Sequence, residues 1–151
     1  MYDFENMDKR YIIFGNTFLT ANRLQSVMDS TGNELTAKQW LVITMLGMFD
    51  TPPTLVQLAK MCDSTHQNTK QIVLKLEKKD FIRIEKDKKD KRAMRILKTE
   101  KCKKWDEANK EFAKHFINEM FCDLTENEIS YFCNIQQKIY KRLEKMEVTL
   151  K

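Results

Sequence analysis

Two helical patterns and a hairpin pattern follow one another in the middle of the chain, and their order constrains the fold more than any other feature. In order, the four segments are residues 54–62, 65–79, 81–86 and 93–98. The polar pair Asp63-Ser64 separates the two helical segments, and the charged run 87–92 forms the hairpin tip. A helix-turn-helix followed by a basic hairpin is typical of proteins that read double-stranded DNA.

The composition predicts a mainly helical, globular protein. The chain has 151 residues, of which 42% are hydrophobic and 32% charged, and it contains only 3 Gly and 2 Pro. This length fits one domain, or one compact body with a small extension. No apolar run approaches the roughly 18–20 residues that a membrane helix needs, and the N-terminal residues lack the pattern of a signal peptide. We therefore expect a cytoplasmic protein.

Positive charge is concentrated on the segment that carries the helix-turn-helix pattern. The net charge is +5, but residues 60–104 hold 16 Lys and Arg against 7 Asp and Glu, a local balance of +9, and the remainder has a balance of −4. A concentrated basic surface attracts a polyanion because binding releases condensed counterions. Lysine-rich surfaces are common, so the charge favours nucleic acid only in combination with the motif.

The cysteines and histidines do not have the spacing of a metal site. Cys62, Cys102, Cys122 and Cys133 form no CxxC pair, and the two histidines lie far apart in the sequence. We expect reduced thiols, several of them packed as small apolar residues. No Ser/His/Asp grouping, Gly-rich phosphate loop or recognisable carboxylate pair is present in the sequence. We therefore predict no metal, no cofactor and no enzymatic activity.

Amphipathic helices are predicted at both ends of the chain. The first covers residues 7–28, and the last two begin at Thr99 and Thr125. Their apolar stripes are Tyr11, Phe14, Phe18, Ala21, Leu24 or Gln25, and Met28; Trp105, Ala108, Phe112, Phe116 and Met120; and Phe132, Ile135, Ile139, Leu143 and Met146. The stripes fit either the core of one subunit or a helical bundle between subunits. We favour the bundle, because the terminal helices have few partners within the chain once its middle has folded.

Three threonines are predicted to begin helices. Thr36, Thr54 and Thr125 are each followed three residues later by Gln or Glu, which is the pattern of a capping box. The Thr oxygen then accepts a hydrogen bond from an early backbone N–H, and the Gln or Glu side chain accepts one from the Thr backbone. The pair Gly32-Asn33 suits a left-handed cap after the first helix, and the Pro pair 52–53 separates the second and third helices.

The second helix of the motif is expected to enter the major groove with its N-terminal turns. Those turns, with one lysine of the next turn, offer Thr65, His66, Gln67, Asn68, Thr69, Lys70, Gln71 and Lys75. Gln and Asn can contact an adenine edge through two hydrogen bonds, and Thr and Lys can hold phosphates. Ile72, Val73 and Leu76 are predicted to anchor the opposite face in the core. Polar residues are also common at any helix start, so residue type alone does not decide between base contacts and a solvated surface.

The hairpin tip is the second predicted contact with DNA. Its basic residues are Lys88, Lys89, Lys91 and Arg92. A charged tip is usually only solvated, but one that follows a recognition helix can lie along the DNA backbone with an Arg in the minor groove. Asp87 and Asp90 each cancel one positive charge. We predict that they shape the turn, through hydrogen bonds of their side chains or by pairing with a nearby Arg.

These residues resemble the MarR family of winged helix-turn-helix transcriptional regulators over nearly the whole chain. The resemblance is strongest at Leu58-Ala59, residues 67–72, Leu76-Glu-Lys-Lys79, Asp87-Lys-Lys-Asp90-Lys-Arg92 and Leu97-Lys-Thr99-Glu100. It implies a mainly α fold with a small β-hairpin wing. The winged helix-turn-helix core would comprise residues 35–99, and the N- and C-terminal dimerisation helices would comprise residues 1–34 and 100–151.

The resemblance also implies a mode of action. A homodimer would place its two recognition helices in successive major grooves of a palindromic operator, and we expect it to act as a repressor. Asp90 would brace the wing, and Arg92 would reach the minor groove. The chain departs from the family pattern at Asp63 and Asp80, where Gly is common. Because Asp tolerates a left-handed backbone, we expect a cost of ~1 kcal/mol and an intact fold.

Three further positions bear on the resemblance. Cys102 stands where the fifth helix of family members often begins with Thr-x-x-Gly, which leaves open how that helix starts. Family members that sense oxidants use a cysteine in the first helix, and this chain has none before Cys62, which we predict to fill core. Small aromatic or phenolic ligands bind other members in a cleft. Its lining here would be Phe14, Phe18, Trp40 and Met45, although such residues are more often only core.

Two classes of function remain after these arguments. The first is a sequence-specific, DNA-binding transcriptional regulator. The alternative is a winged-helix module that uses the same face for protein contacts. The local charge of +9 favours the first, because a face that docks a protein does not need it.

Overall fold

The computed structural model describes residues 7–87, 90 and 92–149. Within these residues the chain forms six helices and one hairpin. They are α1 (Lys9–Ser30), α2 (Ala37–Leu46), α3 (Leu55–Met61), α4 (His66–Lys78), β1 (Ile82–Lys86), β2 (Met94–Lys98), α5 (Glu100–Met120) and α6 (Glu126–Thr149). The predicted fold class, mainly α with a small hairpin, is confirmed. None of the helices described is long and apolar enough to cross a membrane.

The chain divides after Lys104 into two compact units. The first contains α1 to α4, the hairpin and the start of α5, and the second contains the rest of α5 and α6. The grouping of residues 1–34 with 100–151 as a dimerisation region concerns a second subunit, and it stays a prediction.

The core of the first unit is built from α2, α3, α4 and the hairpin. Its buried apolar side chains are Leu35, Val42, Ile43, Leu46, Leu58, Ala59, Val73, Leu76, Phe81, Ile82, Ile96 and Cys102. Val73 and Leu76 attach α4 to this core, as the sequence predicted, while Ile72 is half-buried. Burying a side chain of this size contributes about 1.5–3 kcal/mol, so the position of α4 is well determined.

The three predicted capping boxes are present. The hydroxyls of Thr36 and Thr54 accept hydrogen bonds from the third backbone N–H of α2 and α3, at 3.3 Å in both cases. The same pattern joins Thr125 and Glu128 at the start of α6. There the Thr125 backbone N–H, and then its hydroxyl, lower the pKa of the Glu128 carboxyl below its ordinary value. Gly32, just after α1, has a φ of 74° and makes the predicted left-handed turn.

Asp63 and Asp80 both adopt the left-handed backbone that the sequence predicted, with φ of 47° and 61°. Each ends a helix in a Schellman motif. After α3, the N–H of Ser64 bonds to the carbonyl of Ala59 at 3.0 Å, and after α4 the N–H of Phe81 bonds to that of Leu76 at 3.0 Å. These two turns set the angle between α3 and α4 and the exit of the chain toward β1.

Thr99 defines the start of α5. Its hydroxyl donates to the carbonyl of Asp80 at 2.6 Å and accepts from the backbone N–H of Cys102 at 3.2 Å. Cys102 is fully buried. The helix therefore begins with a threonine cap. Cys102 packs in the core at the position where family members often have Gly.

The two strands form an antiparallel hairpin with regular register. Ile82 pairs with Lys98 at its base and Lys86 with Met94 near its tip. The backbone N–H of Ile96 also donates to the carbonyl of Pro53 at 3.0 Å. The hairpin is thus joined along β2 to the connection between α2 and α3.

Candidate nucleic-acid interface

The recognition helix α4 has one buried face and one polar, exposed face. Val73 and Leu76 lie in the core, and steps of three and four residues place Gln67, Gln71 and Lys78 on the opposite side. Exposed along α4 are also His66, Asn68, Lys70 and Lys75. A helix that shows two amides on its solvent face, with lysines on its flanks, has the donors and acceptors that base edges and phosphates require.

Thr65 acts first as the cap of α4. Its hydroxyl accepts a hydrogen bond from the backbone N–H of Asn68 at 3.2 Å, and its own backbone is extended. The cap fixes the direction in which the first turn leaves the loop. The side chain of Thr65 is exposed, so it also remains available to a phosphate.

The prediction that Thr69 contacts DNA is wrong. Its side chain is fully buried, because it lies four residues before Val73 and seven before Leu76, on the core face of α4. Its hydroxyl makes no hydrogen bond within the described part of the chain. The spacing to the two predicted core residues was a signal that could have excluded Thr69 from the interface.

Leu74 was not among the predicted site residues, although it shares the exposed side of α4. It lies three residues after Gln71 and is 37% exposed. An apolar side chain among polar ones on a DNA-facing helix can contact the C5 methyl of thymine. Leu74 thus extends the candidate interface by one apolar position.

The wing tip is held by aspartate side chains. One carboxylate oxygen of Asp87 accepts from the backbone N–H of Asp90 at 2.9 Å, and Asp90 accepts from the N–H of Arg92 at 3.0 Å. The N–H of Ala93 bonds to the carbonyl of Asp90 at 2.9 Å and closes the turn. Both predicted kinds of contact occur, because Asp87 also pairs with Arg95. Arg92 is exposed beside this turn.

Three other predicted contacts of the tip, Lys88, Lys89 and Lys91, lie outside the described residues. Their contact with DNA stays a prediction.

Arg95 is a structural residue that the sequence reasoning missed. Its Nε lies 2.5 Å from Asp87 Oδ2, and its Nη1 donates to the carbonyl of Pro52 at 3.2 Å and to Gln57 Oε1 at 3.4 Å. The partners lie up to 43 residues away in the sequence, so no local pattern predicts them. An arginine within a short strand flanked by apolar residues was the one available signal.

Two cations of the basic segment already have partners within the first unit. Lys79 Nζ donates to the carbonyl of Glu34 at 2.6 Å, and Lys101 Nζ lies 2.6 Å from a carboxylate oxygen of Glu34 and 4.6 Å from the centre of the Phe81 ring. These two cations stabilise the first unit, and the local charge of +9 therefore overstates the charge available to a partner. Lys70, Lys75, Lys78 and Arg92 are the exposed cations on α4 and at the described tip.

The predicted ligand cleft stays a prediction. Phe14 and Phe18 form an edge-to-face pair with ring centres 5.2 Å apart, and they are 66% and 60% exposed on α1. Trp40 and Met45 are half-buried on α2. Cys62 is half-buried as well, and burial raises the pKa of its thiol, which is opposite to the change that a redox-sensing cysteine needs.

A known protein family matches the part of the chain that carries the helix-turn-helix. Residues 33–93, which contain both helices of the motif, the strand β1 and the hairpin tip, match the model of the MarR family. No curated protein sequence matches the chain significantly.

Solved structures share the fold along most of the chain. A MarR/EmrR family transcriptional regulator from Acinetobacter sp. ADP1 is similar with a TM-score of 0.81 at 17% identity, covering 92% of this chain and 99% of its own. Streptococcus pneumoniae FabT, solved in complex with DNA, has a TM-score of 0.70 at 21% identity, with coverage of 92% and 99%. Bordetella bronchiseptica BpsR, whose DNA binding is regulated by 6-hydroxynicotinic acid, has a TM-score of 0.72 at 18% identity, with coverage of 84% and 98%.

At these identities the structural neighbours establish the fold, and the family match identifies the motif within it. The chain therefore shares the winged helix-turn-helix fold of these transcriptional regulators, and residues 33–93 are similar to the MarR family.

Proposed function

We propose that this protein binds a palindromic DNA operator as a homodimer and represses transcription from it. The observation that carries the proposal is the exposed polar face of α4, which occurs in the same compact unit as a basic, aspartate-shaped wing. Gln67, Asn68 and Gln71 would read base edges, and Lys70 and Lys75 would hold phosphates. Arg92 would enter the minor groove. The DNA complex of the similar FabT supports this use of the fold.

The dimer in this proposal is supported by the apolar surface of the terminal helices. Phe132, Ile135, Ile139, Leu143 and Met146 form one stripe along α6 and are between 41% and 55% exposed. Phe14 and Phe18 are exposed on α1. Apolar stripes of this extent are unusual on a monomer. A second copy would cover them and would supply the second recognition helix that a palindrome requires.

A small aromatic ligand that releases DNA is a further part of the proposal. The regulation of BpsR by 6-hydroxynicotinic acid supports it, together with the ring pair of Phe14 and Phe18. The test is titration of a preformed protein–DNA complex with a panel of hydroxylated aromatic acids and phenols. Release by one compound, lost in Phe14→Ala, would support the cleft. Absence of release across the panel would remove this part of the proposal.

The base-reading and minor-groove roles are tested with variants on a selected operator. Repeated selection from random duplexes would yield the operator, and fluorescence anisotropy would measure affinity for it and for random DNA. Arg92→Ala should weaken operator binding about tenfold or more without changing the dimer. Gln67→Ala and Asn68→Ala should lose preference for the operator and keep most non-specific binding.

Lys114→Ala is the matched control for loss of one positive charge, since Lys114 is exposed on α5 in the second unit. If Lys114→Ala weakened operator binding as much as Arg92→Ala does, the loss of affinity in Arg92→Ala would reflect total charge and not a contact in the minor groove. Equal losses on operator and random DNA for the Gln67 and Asn68 variants would make those residues phosphate contacts.

A further inference from the structure

We propose that Arg95 is a positioning residue that fixes the wing of this protein relative to its helix-turn-helix, so that Arg92 meets the minor groove while α4 occupies the major groove. The inference rests on the proposed function and deepens it. Arg95 itself is not placed at the DNA. It acts through the tip and through the connection between α2 and α3.

The first contact of Arg95 is with the wing tip. Its Nε lies 2.5 Å from Asp87 Oδ2, and the two side chains are 32% and 17% exposed. Asp87 is the residue that organises the turn, because its other oxygen accepts from the N–H of Asp90 at 2.9 Å. Its backbone N–H also donates to the carbonyl of Ala93 at 2.9 Å. The partly shielded ion pair at this position therefore holds the Asp87 side chain in the orientation that accepts from the Asp90 N–H.

The second contact of Arg95 is with the body of the first unit. Nη1 donates to the carbonyl of Pro52 at 3.2 Å and to Gln57 Oε1 at 3.4 Å. That amide oxygen already accepts from the backbone N–H of Thr54 at 2.8 Å in the capping box of α3. The guanidinium thus joins the wing tip to the first helix of the helix-turn-helix. If the guanidinium were removed, the hydrogen bond from the Ile96 N–H to the Pro53 carbonyl would still join β2 to the connection between α2 and α3.

Arg92 is reached by a short chain of bonds from this junction. Arg95 holds Asp87, Asp87 holds the N–H of Asp90, and Asp90 Oδ1 accepts from the N–H of Arg92 at 3.0 Å. Contacts in two grooves strengthen one another most when the distance between them is fixed before binding. The position of Arg92 therefore depends on Arg95, a residue within strand β2.

Only arginine fits this role. The guanidinium is planar and presents separate N–H groups in a rigid fork, so one side chain can serve an acceptor in the wing and two acceptors in the body. A lysine keeps the charge but ends in one ammonium on a flexible stem. Arg95→Lys is therefore the informative variant, because it leaves the net charge and the long-range attraction to DNA unchanged.

The test is a double-mutant cycle measured by fluorescence anisotropy on the selected operator. In the wild-type background, Arg92→Ala should weaken binding about tenfold or more, whereas in the Arg95→Lys background it should cost less than about threefold. Gln67→Ala should cost the same in both backgrounds. Arg83→Lys is the matched control, because Arg83 lies on the same hairpin and pairs with Glu85 of its own strand.

Hydrogen exchange in the absence of DNA supplies a readout that is independent of the operator. The backbone N–H groups of Asp90 and Ala93 should exchange faster in Arg95→Lys than in wild type or Arg83→Lys, with unchanged protection of α4. Equal exchange would overturn the inference. So would an equal cost of Arg92→Ala in both backgrounds while the wild type still binds the operator. Failure of the wild type to prefer any duplex would instead overturn the proposed function, and the inference with it.

Discussion

Leu143→Ala is predicted to weaken the homodimer about 30-fold. Leu143 belongs to the α6 stripe, and 55% of its surface is exposed in the single subunit. Full burial of a leucine side chain contributes about 2 kcal/mol, so covering the exposed part against a partner would contribute ~1 kcal/mol. In a two-fold symmetric dimer the residue occurs on both copies, and the loss doubles to ~2 kcal/mol. A free-energy change of this size corresponds to a factor of about 30 in the dissociation constant.

Sedimentation velocity over a concentration series would measure that constant. Lys141→Ala is the control, because Lys141 lies on α6 on the side opposite to the stripe. Circular dichroism of each variant would show whether α6 remains helical. An unchanged dissociation constant for Leu143→Ala, or an equal change for Lys141→Ala, would refute the argument that the α6 stripe forms the subunit interface.

Two further predictions concern the ends of the C-terminal helices. Thr99→Val should lower the free energy of unfolding by ~2 kcal/mol, because it removes the cap of α5 and the hydrogen bond to the Asp80 carbonyl. The thermal midpoint should then fall by roughly 4–8 °C. A fall of less than about 1 °C would show that water replaces the Thr99 hydroxyl at the cap. Glu128→Gln should destabilise the protein at neutral pH, and this difference should shrink as the pH falls below 4.5. The lowered pKa of Glu128 means that its stabilisation is present above its ordinary value of 4.5 and is lost as the pH falls through the lowered pKa; a difference in melting midpoint that stays constant with pH would contradict this sign.

Local chemistry made much of this fold predictable from the sequence. The capping boxes at Thr36, Thr54 and Thr125 need only residues three positions apart, and the structure contains all three. Asp63 and Asp80 adopt the left-handed backbone because a short polar side chain tolerates it. These features depend on the chain within one turn of each residue, and such information is present in the sequence.

Contacts between distant segments were not predictable in the same way. Arg95 meets Pro52 and Gln57 across 43 and 38 residues, and Lys101 meets Glu34 across 67. Those basic residues were counted as surface charge, because the sequence does not show which cations have internal partners. Thr69 is a different case. It was assigned by its place near the start of α4, although its spacing to Val73 put it on the buried face.

The central claim is that α4 and the wing recognise a specific DNA sequence. The most direct measurement is fluorescence anisotropy of the wild-type protein with DNA from immediately upstream of its own gene, beside a scrambled duplex of equal length, at several salt concentrations. Phosphate contacts weaken as salt rises for any sequence, whereas base contacts preserve the difference between the two duplexes. We expect tighter binding to the upstream DNA that persists as the salt concentration rises. Equal, salt-sensitive binding to both duplexes, or no binding to either at low salt, would contradict specific recognition of the upstream DNA by α4 and the wing.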